Sequence, residues 1–274
     1  MQSNVKIGFI GGGNMAGALI SGLVKQVDDA KQLLVVDLNA DSLQRLSSQF
    51  GVATAQQIDQ RLAEMDVIVF AVKPQQMHAV VMAVQPFVRE QLLLSVAAGI
   101  RACDMARWLG GYQKIVRAMP NTPAMIGQGM SGLFALDAVS TSEKNAAQAI
   151  MQAVGQTLWV ENESLIDAVT AVSGSGPAYV FYFIEAMQQA GIALGLSEAQ
   201  AKQLALATFN GAAQLAEQSE EPIHILRERV TSKGGTTYAA LTSMEADGVA
   251  NAIVRAVHAA ANRGKELGEE FGQG

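Results

Sequence analysis

An α/β domain with a doubly wound parallel sheet, followed by an all-helical domain, is the architecture this sequence predicts. Three observations predict it. Short apolar runs alternate with helically spaced apolar residues from Val5 to Met119. The first of those runs ends directly in Gly11-Gly12-Gly13, a tight turn after a buried strand. After about residue 161 the β-type runs stop and alanine becomes abundant. The change of period places the expected boundary between a domain over residues 1–161 and an all-helical domain over residues 162–274.

The elements follow in order. Val5 to Ile10 is the first strand, and Met15, Leu19, Leu23 and Val24 recur at helical spacing from Asn14 to about Lys25. Leu33 to Val36 is a strand stopped by Asp37, after which Asn39 caps a helix carrying Leu43 and Leu46. Val67 to Val72 is too short for an independent helix and reads as a strand, with Pro74 in the first turn of the next helix. Leu92 to Ala98 and Ile115 to Met119 complete a parallel sheet covered on both faces. In the second half, Ser197-Glu198-Ala199-Gln200 is a capping box opening a helix to about Glu217. Pro222 begins another, Thr236 caps one through Met244, and Asp247-Gly248 turns into a last helix from Val249 to about Leu267. Five or six helices are expected there.

Composition excludes several classes. Half of the 274 residues are hydrophobic and the net charge is −6, which rules out disorder as the main state. No basic stripe offers a surface to nucleic acid. The single Cys103 excludes an intrachain disulfide framework and a Cys-rich metal site, and no metal is expected. The longest uncharged stretch, Ala118 to Leu136, contains Pro120, Pro123, Gly127, Gly129 and Gly132, which break a spanning helix. With no export signal in Met1-Gln2-Ser3-Asn4, the expectation is a soluble, cytoplasmic protein without a membrane partner.

Gly11-Gly12-Gly13-Asn14-Met15-Ala16 matches G-x-G-x-x-G/A between a strand and a helix, the setting of a Rossmann-type dinucleotide site. Gly11 permits the tight turn, Gly13 lets backbone approach a pyrophosphate, and Ala16 lets the helix pack close to the strand. Asp37, at the end of the second strand, is placed to meet the adenosine ribose hydroxyls, which favours NADH because a 2′-phosphate would be repelled. Val72-Lys73-Pro74 and Ala97-Ala98-Gly99 lie at the carboxyl ends of later strands, which line a cofactor crevice; Lys73 there can meet a phosphate or ribose.

Five blocks resemble the pyrroline-5-carboxylate reductase family: Gly8 to Met15, Ala71 to Pro74, Met119-Pro120-Asn121-Thr122-Pro123, Ala168 to Tyr179, and Val230 to Thr237. The resemblance implies reduction of a cyclic imine carboxylate to L-proline with NADPH or NADH, the last step of proline biosynthesis. It implies a helical domain that interlocks in a homodimer, with further association up to rings of five dimers. Carried onto this chain, it places cofactor contacts on Ile10, Gly11, Gly12, Gly13, Asn14 and Met15, on Ala71, Val72, Lys73 and Pro74, and on Val96, Ala97 and Ala98. The imino-acid substrate falls on Thr236 and Thr237, with Glu163 nearby. This chain departs from the pattern where many members carry an Asn and it reads Ile58-Asp59. Asp37 replaces a small polar residue found in some members, and Arg229 replaces an Asn.

The chemistry fits the residues. A pyrrolinium substrate arrives already protonated, so a strong general acid is not obligatory. The three His, at 78, 224 and 258, lie outside the matched blocks and read as helix-surface residues. Ser232-Lys233-Gly234-Gly235-Thr236-Thr237 offers close backbone approach and a helix start, with N–H groups around Gly235 and Thr236 for the carboxylate and Thr237 as the catalytic hydroxyl at the ring nitrogen. Ser173-Gly174-Ser175-Gly176-Pro177 lacks the full G-x-S-x-G pattern of a hydrolase elbow and reads as close helix packing and backbone approach to the substrate. A β-hydroxyacid dehydrogenase would want a Lys in the first long helix of the second domain, yet Leu165 to Leu196 has neither Lys nor Arg. A dinucleotide-binding sensor is the non-enzymatic alternative, against which the intact Ser232 to Thr237 run argues.

Overall fold

The computed structural model describes residues 4–273. One eight-stranded sheet is formed by β1 (Ile7–Ile10), β2 (Leu33–Val36), β3 (Ala53–Ala55), β4 (Val67–Phe70), β5 (Leu92–Ser95), β6 (Ile115–Met119), β7 (Gly129–Ala135) and β8 (Gly155–Trp159), in the order β3-β2-β1-β4-β5-β6-β7-β8. The strand order reverses at β1, which pairs in parallel with both β2 (Ile7 opposite Leu33) and β4 (Ile7 opposite Val67). The helices among them are α1 (Asn14–Leu23), α2 (Ala40–Phe50), α3 (Met77–Val84), α4 (Ala102–Trp108) and α5 (Thr141–Gln152).

Alternation along the strands separates two cores. Phe9, Val35, Val69 and Leu94 face α1 and α5 through Leu19, Leu23 and Ile150. Ile10, Leu34, Ile68 and Leu93 face α3 and α4 through Met77, Val81 and Trp108. Both faces of the inner strands are therefore buried, which is why they read as continuous apolar runs.

Two features differ from the sequence expectation. The sheet is not wholly parallel: β7 runs antiparallel to β6, with Val116 opposite Ala135. Only residues 120–128 join them, too few for the crossover that parallel pairing requires. The expected set also ended at Met119, whereas β7 and β8 extend the sheet and pair in parallel. Glycine hides them. A Cβ at Gly132 would lie 2.7 Å from Val169, and one at Gly155 would overlap the backbone of Gly129. Close packing demands residues of poor strand propensity there.

After β8 come α6 (Leu165–Val169), a single π turn over Thr170–Gly174, α7 (Gly176–Ala193), α8 (Glu198–Glu217), α9 (Ile223–Arg229), α10 (Thr236–Ala246) and α11 (Val249–Phe271). The Ser197 capping box forms as its spacing requires, and Asn39 caps α2 through the Ser42 amide at 3.0 Å. Thr236 is not a cap: Gly235 occupies that position, with no side-chain hydrogen bond, and Thr236 is the first helical residue. Pro222 sits one position before α9 rather than inside it.

The chain groups into two compact units, one reaching Ser175 and including the residues from Ala260 onward, the other Gly176–Ala259. The second unit is nearly coreless by itself. Ala201 and Ala205 are its buried apolar residues among those described, while Phe181 (66% exposed) and Leu215 (60% exposed) face outward.

Candidate active site

The dinucleotide motif builds itself from backbone constraints. Gly11 follows β1 with φ +102°, its amide donates to the Val36 carbonyl at 2.8 Å, and a Cβ there would stand 2.6 Å from the Ala71 carbonyl oxygen. Only glycine adopts this turn without strain. Gly13 is different: its φ is an ordinary −73°, and a Cβ would meet no protein atom within 4 Å. It stands at the N-cap of α1 without a side-chain hydrogen bond, so the first-turn N–H groups point outward unopposed. Ala16 is fully buried against the sheet, as close helix packing requires.

The other expected cofactor residues of this unit gather at the same sheet end. Asp37 follows β2, Ala71 to Pro74 follow β4, and Val96 to Ala98 follow β5. Pro74 opens a short 3₁₀ turn, with exposed Lys73 at its cap. Asp37 does more than the sequence shows. One carboxylate oxygen accepts the Gly12 amide at 2.6 Å and the other the Asn39 amide at 2.8 Å. Arg45, one turn into α2, reaches the Gly12 carbonyl at 3.4 Å.

The remaining sequence-predicted residues fall elsewhere. Glu163 is held among protein groups: one oxygen accepts the Ala102 amide at 2.5 Å and the Arg117 guanidinium at 3.1 Å. Arg117 is 3% exposed and also faces Asp167 at 3.7 Å. Burial pushes the Asp167 carboxyl above its ordinary range, against the opposing pull of Arg117. Ser232, Gly235, Thr236 and Thr237 come together at the start of α10 in the second unit. There the Gly235 amide donates to the Ser232 carbonyl at 2.9 Å, so the amides open to a carboxylate begin at Thr236. Thr237 is half-buried and Thr236 exposed. Arg229 pairs with Glu221 at 2.5 Å, and Asp59 with Arg61 at 2.7 Å, so two of the three departures from the family pattern are engaged in ion pairs, while Asp37 is held by backbone amides.

Two groups escaped sequence reasoning. Asn121, inside the Met119 to Pro123 block, donates to the Ser173 carbonyl and hydroxyl at 3.3 and 3.2 Å and accepts the Met130 amide at 2.9 Å. It clamps the π turn to β7, and a Cβ at Gly174 would stand 2.6 Å from Met119. The close-packing reading of the Ser-Gly-Ser-Gly run is thereby supported. Its only sequence signal was an Asn between two prolines. The second group is Arg117, a lone charge inside an apolar strand; that isolation was the available signal. The three His are exposed, in keeping with surface roles. Cys103 offers no activated thiol, since burial first, then Glu163 and Asp104, push its pKa up. No group of metal-ligating residues occurs among the described residues, and no described helix is long and apolar enough to cross a membrane.

Known proteins match this arrangement over its whole length. The family described as "Pyrroline-5-carboxylate reductase dimerisation" matches residues 163–267, and "NADP oxidoreductase coenzyme F420-dependent" matches residues 6–99. A pyrroline-5-carboxylate reductase of Pseudomonas aeruginosa is 45% identical over 273 residues, covering 99% of this chain and all of the relative. The solved structure of the enzyme of that name from Coxiella burnetii aligns with a TM-score of 0.89 at 40% identity, over 97% of this chain and 99% of that one. The structure of Plasmodium falciparum pyrroline carboxylate reductase with NADP bound aligns with a TM-score of 0.86 at 30% identity, over 98% of this chain and 100% of that one. A Rossmann-type sheet, a helical region matching a dimerisation family, and near-complete coverage by close relatives establish that this chain belongs to the pyrroline-5-carboxylate reductase family.

Proposed function

We propose that the protein reduces 1-pyrroline-5-carboxylate to L-proline by hydride transfer from NADPH or NADH, the last step of proline biosynthesis, in the cytoplasm. The observation that carries this reading is the glycine cradle at an uncapped helix start. Nothing in the protein's packing asks for glycine at position 13, so the constraint lies on the side from which a ligand approaches. The deciding assay follows NADPH and NADH oxidation with pyrroline-5-carboxylate and with no substrate, and NADP+ and NAD+ reduction with a 3-hydroxy acid. Turnover with the imine alone is expected; turnover with the hydroxy acid alone, or with neither, overturns the reading.

When bound, the nicotinamide supplies the hydride. The amides from Gly13 to Met15 would hold the pyrophosphate, the Gly12 amide being taken by Asp37, and Asp37 would also meet the adenosine ribose. Ala71 to Pro74 and Val96 to Ala98, with Ile10 beneath them, would hold the nicotinamide half. In the functional division at residues 161 and 162, the helical domain would supply the substrate groups. The amides of Thr236 and Thr237 would take the carboxylate, beside Ser232 and Gly235, and the Thr237 hydroxyl would orient the ring nitrogen. Threonine is too weak an acid to be the final proton source, so water completes any relay.

Thr237→Ala is expected to lower kcat/KM by roughly ten- to a hundredfold, the cost of about one charge-assisted hydrogen bond at 1.5–3 kcal/mol. Cofactor affinity should be nearly unchanged, and Thr237→Ser should recover most of the loss. Steady-state kinetics across pH decide this; full kcat/KM at every pH would reduce Thr237 to a structural residue.

Asp37 sets a second test. Asp37→Asn keeps an oxygen for the Gly12 amide while removing the charge that would face a 2′-phosphate. Preference should move toward NADPH by about tenfold in kcat/KM, or ~1.4 kcal/mol. Asp37→Ser is the poorer probe, because the shorter side chain also abandons the glycine loop. A strong NADPH preference in the unmodified protein would defeat the ribose assignment.

The assembly follows the same reading. The helical domain forms the homodimer, and dimers associate further into a ring. Light scattering at several concentrations reads both levels.

A further inference from the structure

The loop that follows β5 is supported from behind by a set of charges and glycines for which the proposed chemistry has no use. Val96–Arg101 leaves the sheet and enters α4 at Ala102. Its far end is fixed by Glu163, whose carboxylate accepts the Ala102 amide at 2.5 Å. Glu163 is itself fixed by Arg117, which is 3% exposed, so this pair is largely shielded from water. The middle of the loop rests on α11. Gly99 has φ +71°, and a Cβ there would come within 3.0 Å of Leu267 and 3.3 Å of the Phe271 ring. Gly268 packs on the Arg101 stem, with its Cβ position 3.6 Å from Cδ. Arg101 in turn binds the buried Asp104 at 2.6 Å, and Arg107 donates to the Gly272 carbonyl.

We propose that Glu163 is a positioning residue for the cofactor loop Val96–Arg101, acting through the Ala102 amide, and not a ligand of the imino acid; α11 at Phe271 is the second support of the same loop. The inference rests on the cofactor reading given above. The chemistry favours it over a substrate role. A carboxylate beside the substrate's own carboxylate would repel it, and the oxygen of Glu163 already accepts both an amide and a guanidinium. Glu163→Gln keeps an oxygen for the two donors but removes the charge that offsets the buried Arg117, so the hold on the loop end is weakened while the Gly11–Gly13 cradle is untouched.

Fluorescence titration with NADPH and steady-state kinetics on the full-length protein separate the possibilities. The unmodified protein is measured first; saturable cofactor binding and imine-dependent turnover establish the underlying reading independently of any variant, and their failure would fall on that reading alone. Glu163→Gln is then expected to raise the NADPH Kd about tenfold while the KM for pyrroline-5-carboxylate at saturating cofactor stays within twofold. Phe271→Ala, a half-buried truncation that leaves the ion pairs intact, should raise the same Kd severalfold with the same unchanged imine KM. Glu163→Asp, which retains the charge, should recover part of the loss. A tenfold rise in imine KM with unchanged cofactor Kd in Glu163→Gln would make it a substrate ligand and overturn the proposal. Unchanged binding of both in Glu163→Gln and Phe271→Ala would overturn it as well, leaving only a structural role.

Discussion

Gly13→Ala is expected to fold as stably as the unmodified protein and to bind NADPH about a hundredfold more weakly, a loss of ~2.7 kcal/mol. The two halves of this expectation come from one geometry. At φ −73° and ψ −169° alanine is fully at ease, and its methyl would touch no protein atom within 4 Å, so stability should stay within about 0.5 kcal/mol. That methyl would instead stand where a pyrophosphate must approach the first-turn amides of α1. Gly11→Ala is the informative contrast. There the methyl meets the Ala71 carbonyl, whose residue is tied to β1 by its amide on the Ile10 carbonyl at 2.8 Å. It should lose both binding and stability, the latter by roughly 1–3 kcal/mol for the backbone conformation alone. Thermal melts and cofactor titration on both variants read the pattern. Undiminished NADPH affinity in Gly13→Ala would remove the cradle from the cofactor site.

The second large effect concerns assembly. Stability should rise with protein concentration, because the unit Gly176–Ala259 buries almost no large apolar side chain by itself. Phe181, Leu204 and Leu215 are all more than half exposed on the isolated chain. A surface so apolar marks an interaction site, and the match of residues 163–267 to a dimerisation family says of what kind. Phe181→Asp would bury an unpaired charge at that interface, at a cost of several kcal/mol. Sedimentation should show monomers whose far-UV signal has lost much of its helical content. A folded, active monomer at micromolar concentration would contradict the whole account of this unit.

How much of this the sequence discloses depends on where each constraint originates. β1, β2, β4 and β5 were legible because burial on both faces leaves no polar position to confuse the pattern. Asn39 and Ser197 were legible because capping is local, decided within three residues. Gly11 was legible for the same reason: its φ of +102° selects glycine directly. β7 and β8 were not, because Gly129, Gly132 and Gly155 answer to neighbours distant in sequence, and so break the apolar signature of a strand. Glu163, Asn121 and the strut from Asp37 to Gly12 were hidden likewise. Each is a hydrogen bond between residues at least nine apart, and only the folded chain reveals which polar groups are already engaged.

The order in which the first unit is assembled has a consequence for synthesis. Its sheet and α4 lie early in the chain, yet the segment that seats against Gly99 and Arg101 begins at Leu267. At ~5–20 residues per second, a ribosome delivers that segment roughly 10–30 s after the loop it supports. Throughout that interval the nascent unit carries an open apolar seam and an Arg101–Asp104 pair exposed to water. Chaperones and proteases therefore meet an unfinished surface on every copy, and substitutions in the last two turns of α11 should lower cellular yield more than their effect on the finished protein's stability implies.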